Sequence, residues 1–252
     1  MHVPPLQQID LVFKSFRDAF SDSFKYGWWI WIIIPAISTF IAFISSIWLA
    51  IVFVEWFIST VTDWLGFELG GWLLLIQIVK ILIGIVSGAF FYKNIALIIL
   101  APFFAWFSEK ADSRWTGKDY PFKFNEFMQD VIRGIVLAIR NTFLEILWMV
   151  GLWILSFLFP IVSPITGILL LVIQGYFLGM SMVDYALERR RYSVKERVKY
   201  ARLHRFGLAT IGLINFLISA IPIIGWLIAY YLAILVGTRY VILTVDNPKL
   251  DR

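Results

Sequence analysis

The chain of 252 residues contains no cysteine. Disulfides, thiolate nucleophiles and Cys-ligated metal sites are therefore excluded. Histidine is almost absent as well: only His2, near the first residue, and His204, inside a basic segment. No HExxH, P-loop, GxSxG or paired-carboxylate pattern occurs. The expectation is a protein with no catalytic residues, no metal and no cofactor. Charge is scarce, at 15% of residues. The net +5 does not point to nucleic acid, because the excess basic residues are concentrated in two loops. The first residues also lack the basic, apolar, small-residue pattern of a cleaved signal peptide.

What the chain has instead is apolar length. Hydrophobic residues make up 60% of it, and mean hydropathy is +0.82. These values describe a polytopic membrane protein with no room for a separate soluble domain. The apolar runs come in two lengths. Tyr26 to Ile58 is long, as is Trp72 to Phe107, which only Lys80 and Lys93 interrupt. The others are short and paired. Phe143 to Phe159 turns at Pro160–Pro164 and returns as Ile165 to Val183; Phe206 to Ile221 turns at Pro222–Gly225 and returns as Trp226 to Val245. Crossing about 30 Å of hydrocarbon takes roughly 20 helical residues. The outbound short arms are marginal, and their tips carry no charge. Such tips fit turns that stop at bilayer depth.

The fold expected is an all-α membrane protein with two long transmembrane helices, two re-entrant (hemi-penetrating) helical hairpins and amphipathic surface helices. It forms one integral membrane domain over residues 1–252. An amphipathic surface helix occupies 1–25, a two-span hairpin 26–107, a surface helix with the first short hairpin 122–190, and a surface helix with the second 193–246. In the first surface helix Leu6, Ile9, Phe13, Phe16, Phe20 and Phe24 recur at helical spacing, suited to membrane lipids. In the last, Ser193 with Glu196 reads as a capping box.

Orientation follows from Lys and Arg. Ser59 to Gly71 holds Asp63 and Glu68 and no basic residue. Lys110, Arg114, Lys118, Lys123, Arg133 and Arg140 follow the second long run, and Arg189, Arg190, Arg191, Lys195, Arg197, Lys199, Arg202 and Arg205 lie between the short pairs. Positive-inside places both basic loops and both termini in the cytoplasm. Trp28, Trp29 and Trp31 would form the inner aromatic belt, with Trp56, Trp64 and Trp72 at the outer end.

Polar residues inside apolar runs are functional candidates. Lys80 lies roughly 12 Å along its helix from Trp72, at about 1.5 Å per residue. It is an anion-attracting cation, half of an ion pair with Glu55, which lies at similar depth, or a lysine snorkelling outward. Lys93 and Asn94 fall near the inner interface. Gln77, Gln174, Asn215 and Arg239 either line a polar path or bond a neighbouring helix. At the first tip, Ser163-Pro164 reads as an N-cap and first-turn pair, and Gly225 as the start of the second return helix. Helix N-termini at bilayer depth attract anions without a fixed charge; the alternative is that Pro and Gly only make the turns. Gly84 and Gly88 form a GxxxG, most simply a close packing face. One ungapped offset matches Arg140 with Arg202, Pro160 with Pro222, Gly175 with Gly237 and Asp184 with Asp246. That pattern fits either two copies of surface helix, hairpin and return or two similar hairpins shaped by the same bilayer.

The segment from Ala96 to Gly117 resembles the signature of the CysZ family of bacterial sulfate permeases and the related etoposide-induced membrane proteins. The matching features are Ala101-Pro102-Phe103, Ser108-Glu109-Lys110, Asp112, Arg114 and Thr116-Gly117. Met182-Val183-Asp184-Tyr185, Phe206-Gly207 and Ile221-Pro222 follow in the family's order. The resemblance implies two full spans plus two hemi-penetrating hairpins, a homo-oligomer, and uptake of a small inorganic anion such as sulfate across the bacterial inner membrane. It also implies that Glu109, Lys110, Asp112, Arg114 and Asp184 form a structural polar network, to which Glu55 is added as the partner of Lys80. The candidate anion path is Lys80, Gln77, Lys25, Ser163 and Gly225. The chain departs from the family where a basic pair precedes the first-span proline: before Pro35 stands Lys25-Tyr26-Gly27-Trp28-Trp29. The family's Asp-Tyr-Pro is here Asp184-Tyr185-Ala186. A non-transporting scaffold or lipid-interacting protein is the competing expectation.

Overall fold

The computed structural model describes residues 3–65, 73–119, 124–221 and 224–246. Glu68, Trp72, Lys123 and Pro222 lie outside the described residues, as do the side chains of Lys93, Asn94 and Arg133. Eight α-helices follow one another, and no strand occurs among the described residues. They are α1 Pro5–Lys25, α2 Ile33–Leu65, α3 Leu73–Thr116, α4 Phe124–Leu158, α5 Ser163–Arg189, α6 Val194–Leu203, α7 Arg205–Ser219 and α8 Ile224–Val245. Four stretches among them are long and apolar enough to cross a membrane: Trp28–Trp64, Ile139–Leu158, Pro160–Arg189 and Ile228–Val245. At 15 residues, α7 is shorter.

Local chemistry accounts for several helix ends. Pro5 opens α1, where its missing N–H costs nothing. Gly27 (φ +66°) and Gly117 (φ +69°) follow α1 and α3 in the left-handed conformation that favours glycine. The capping box of α6 is formed: the Ser193 N–H donates to Glu196 Oε2 at 2.7 Å, and the Glu196 N–H donates to Ser193 Oγ at 3.4 Å. Two boundaries differ from the sequence reading. The expected surface helix before the first hairpin is continuous with the hairpin's outbound arm, as α4. Likewise α3 runs past Phe107 to Thr116. No Pro or Gly interrupts either junction, so nothing stops the helix there.

The chain divides into two compact units. One comprises residues 33–103, from α2 and most of α3. Its helices approach closely at the GxxxG: a Cβ on Gly88 would stand 2.6 Å from Ile47 Cα, and one on Gly84 3.1 Å from Ile51 Cα. The glycines therefore form a helix-packing face.

The other unit comprises residues 1–32 and 104–252. Its centre is α5, α7 and α8, with α4 against α5 and α1 against α7 and α8. Glycines again set the spacing. Gly175 and Gly212 meet backbone to backbone, Gly179 meets Leu208, and Gly237 meets Met182. Helix α1 presents three faces. Gln8, Leu11, Val12, Ser15, Ala19 and Ser23 are buried; Leu6, Phe13, Phe20 and Phe24 are exposed on the apolar flank; Asp10, Lys14 and Arg17 lie on or beside the polar flank. The phenylalanine stripe expected to meet lipid is thus free to do so. The buried face, small and partly polar, was not apparent from hydrophobicity.

Candidate functional site

The buried charges of the larger unit gather where α3, α5 and α8 end. Asp112, on the last turns of α3, has a fully buried side chain. Arg189 reaches it at 3.1 Å through Nη2, and Arg190 at 2.8 Å through Nη1. Arg190 also pairs with Asp246 just past α8, and Lys118 lies 3.7 Å from the same carboxylate. Arg189 Nη2 donates to Ser108 Oγ at 2.7 Å, and Ser108 shares a 2.6 Å hydrogen bond with Thr238. Burial alone would lower the Arg190 pKa; the Asp246 and Asp112 carboxylates outweigh it and raise it, so the guanidinium stays charged. Glu109 is exposed on the neighbouring face, its pKa raised by partial burial and held back by Arg189.

A second cluster lies at the α5–α6 junction. Arg197, 1% exposed, pairs with Asp184 at 3.1 Å and reaches Glu188 at 3.5 Å, while its Nε donates to the Tyr192 carbonyl. The remaining buried nitrogen of Arg197 makes no hydrogen bond. The expected polar network is therefore divided. Asp112 and Asp184 each bind arginines that the sequence reading had counted only for orientation. Arg114 lies over the Tyr26 ring at 4.7 Å. Lys110 lies over Trp31 at 4.7 Å and Trp106 at 5.0 Å. Glu109 and Arg114 form no ion pair; five residues apart on one helix, they point to different faces. One sequence signal did point to the missed partners: the offset that matched Asp184 with Asp246 paired two carboxylates that each hold an arginine.

Helix α1 is tied in by polar contacts. Gln8 donates to the Leu203 carbonyl at 2.8 Å and accepts from the Gly207 N–H at 3.1 Å, bridging the break between α6 and α7. Asp18 pairs with Arg239 at 2.9 Å, the Trp115 indole donates to Asp22 at 2.7 Å, and Tyr231 donates to Ser23 at 2.8 Å. Arg239 thus bonds a neighbouring helix. Asn215, 2% exposed, lines a cavity of about 10 Å³, room for about one water, between α1, α7 and α8. Its amide oxygen has no partner.

The residues of the expected anion path are placed as follows. In the smaller unit, the register of Gly84 against Ile51 and Gly88 against Ile47 carries Lys80 level with Glu55. Their depths agree with the sequence reading, but no ion pair joins them: Lys80 is half-buried, and Glu55 and Gln77 are exposed. Lys25 is exposed beside the Tyr26 ring. Ser163 is not the N-cap of α5. It is already helical, the cap is Val162, and the Ser163 N–H bonds back to Pro160 across a 3-10 turn. At the second tip, the Gly225 N–H is donated to Ile221 at 2.9 Å, and the Ile218 carbonyl occupies the place of a Cβ. That N–H is unavailable to an anion, and the glycine is there for close packing.

An all-helical membrane protein, with its buried arginines and carboxylates joined at helix ends, is the class these features define. The sequence matches the family described as Sulfate transporter CysZ/Etoposide-induced protein 2.4 over residues 15–229. The chain belongs to this family. It is 23% identical over 203 residues to the sulfate transporter CysZ of Pseudomonas fluorescens strain Pf0-1, covering 78% of this chain and 79% of that one. It is 25% identical over 205 residues to the sulfate transporter CysZ of Pseudomonas syringae pv. tomato, covering 79% of each. A third, from P. fluorescens strain SBW25, is 28% identical over 140 residues, covering 55% of this chain and 54% of that one.

Proposed function

We propose that the protein is an anion permease of the bacterial inner membrane that takes up sulfate. The observation that carries this reading is the family match across residues 15–229, together with relatives named as sulfate transporters aligned over most of both chains. The chain is one integral membrane domain with cytoplasmic termini, two full spans and two hairpins that stop within the bilayer, and it works as a homo-oligomer among membrane lipids. Flux is passive. Lys80 and Gln77, on α3, replace part of the dianion's hydration. The paired arginines keep the helix ends together.

Labelled-sulfate uptake into proteoliposomes tests the function. Saturable uptake that Lys80→Met reduces at equal protein level is expected. Uptake no faster than in protein-free vesicles overturns it in favour of a non-transporting scaffold. Topology is tested in this Cys-free chain by Ser163→Cys and Gly225→Cys. Both resist a membrane-impermeant thiol reagent added outside; rapid labelling of both means ordinary spans.

A further inference from the structure

The buried face of α7 carries Gly207, Leu208, Ile211, Gly212 and Asn215. Asn215 is the one polar side chain among them. Its spacing of seven from Leu208 and four from Ile211 sets it on the inward stripe of the helix, and it is 2% exposed. The sequence allowed it a polar path or a bond to a neighbouring helix. Among the described residues no donor reaches its Oδ1, which is buried, and the other residues around it are apolar. A buried carbonyl oxygen without a donor is costly, and bulk water does not relieve it inside an apolar arm. A leucine would pack the same place without that cost.

The amide faces a cavity of about 10 Å³. Phe16 of α1, Ile211 of α7, and Ala229, Ala233 and Val236 of α8 line it with Asn215. The nature of the occupant follows by exclusion. The free group is an acceptor, so the occupant must donate, and an anion is repelled. A metal cation takes several oxygens, and one amide among hydrocarbon walls does not supply them. The space holds about one water molecule and nothing larger. Water is neutral and donates to Asn215. Its second hydrogen can reach a helix carbonyl, which keeps a spare lone pair. Ala229 and Ala233, one turn apart, put only methyl groups on the α8 wall and leave that backbone close to the cavity. An apolar cavity without the amide would stay dry.

We propose that Asn215 holds one ordered water molecule in the joint between α1, α7 and α8. The site does not depend on the permease reading.

The test is made on the full chain in deuterated detergent, with isoleucine and valine methyl groups labelled. Magnetisation transfer from water to the Ile211 and Val236 methyl groups is measured by NMR. Each of these side chains is 2% exposed, and methyl protons do not exchange with solvent, so a cross-peak reports water held beside them. Mildly acidic pH keeps relay through the side-chain amide slow. Wild type gives these cross-peaks. Asn215→Leu fills the place with hydrocarbon, and they are lost. Asn215→Ala is the sharper case: it widens the cavity but removes its acceptor, and the cross-peaks are lost there too. The proposal is overturned if wild type shows no cross-peak at either methyl. It is also overturned if folded Asn215→Ala keeps them at wild-type intensity, since space rather than the amide would then hold the water. Should neither variant fold, the wild-type spectrum alone decides, by the presence or absence of the cross-peaks.

Discussion

The two helical hairpins, α4–α5 and α7–α8, have similar apolar composition, yet the larger unit treats them differently. In the return arm of the second, 78% of Ile228–Val245 is buried; in the 18-residue apolar stretch of each arm of the first the share is 22%, the buried residues of α5 lying mostly between Gly175 and Leu187. The tip of the first is bare, with Phe157 84% and Ile161 89% exposed. Hydropathy cannot separate these cases, since a side chain facing lipid and one facing core are equally apolar. Glycine separates the distal part of the first hairpin from the rest of the unit. A Cβ on Gly151 or Gly167, in the distal first hairpin, would meet nothing, whereas one on Gly175, Gly179, Gly207, Gly212, Gly225 or Gly237 would meet a neighbour's atoms. The core of this unit lies where helices come close enough to exclude side chains.

The strongest way to break this contrast is to fill those places. Gly179→Leu pushes into the Leu208 carbonyl and should cost about 3 kcal/mol or more, enough to lose folded protein. Gly151→Ala meets open space and should be neutral or stabilise by up to about 1 kcal/mol through helix propensity. Thermal unfolding in detergent reads both. Equal effects at the two positions would mean that the distal first hairpin is packed no differently from the part of α5 that meets α7.

Charge at the bases sharpens the comparison. Asp112→Asn leaves Arg189 and Arg190 facing a neutral amide in a buried place, at an expected cost of about 3–5 kcal/mol. Lys118→Ala, which removes an exposed partner of Asp246, should cost no more than about 1 kcal/mol. A midpoint shift for Asp112→Asn no larger than for Lys118→Ala would show that the cluster does not hold the ends of α3, α5 and α8 together. Gln8→Leu comes next. It strips the Gly207 N–H and Leu203 carbonyl of their partner, and about 1–3 kcal/mol should be lost, with early proteolysis at the α6–α7 break. Wild-type resistance at that break would reduce α1 to a lipid-facing helix.

What the sequence disclosed follows the range of the forces involved. The α1 stripe, the GxxxG face and the Ser193 capping box are set by nearby residues, and all of these recur in the structure; the short run lengths do not carry over to the first hairpin, whose two arms are both long enough to cross. The level of Lys80 with Glu55 was legible too, because a two-helix register depends only on residues counted from one turn. Their pairing was not, since rotation of each helix decides which face a side chain takes. The partners of Asp112 and Asp184 were not legible either: Arg189 is brought to Asp112 by tertiary packing, and its charge alone had signalled only orientation. The buried side of α1 was missed because Gln8, Ser15, Ala19 and Ser23 bury by being small or hydrogen-bonded, which a search for apolar residues passes over.

The smallest expected effect lies in α6, which connects the two hairpins. Glu196 is exposed, and its pKa is lowered from 4.5 by hydrogen bonds from the Ser193 hydroxyl and backbone. A carboxylate with a lowered folded pKa contributes stability that is fully present above its unfolded value and is lost as pH falls through the folded one. The α6 start should therefore loosen only below about pH 4.5, with no change across the neutral range. Carboxyl NMR titration of the detergent-solubilised protein should find Glu196 below the usual glutamate range, and Ser193→Ala should return it toward 4.5. Identical titrations would mean that the capping box does not persist in solution. The start of the connector would then be set by the buried Arg197–Asp184 pair alone, and Ser193→Ala would leave the contrast between the hairpins untouched at any pH.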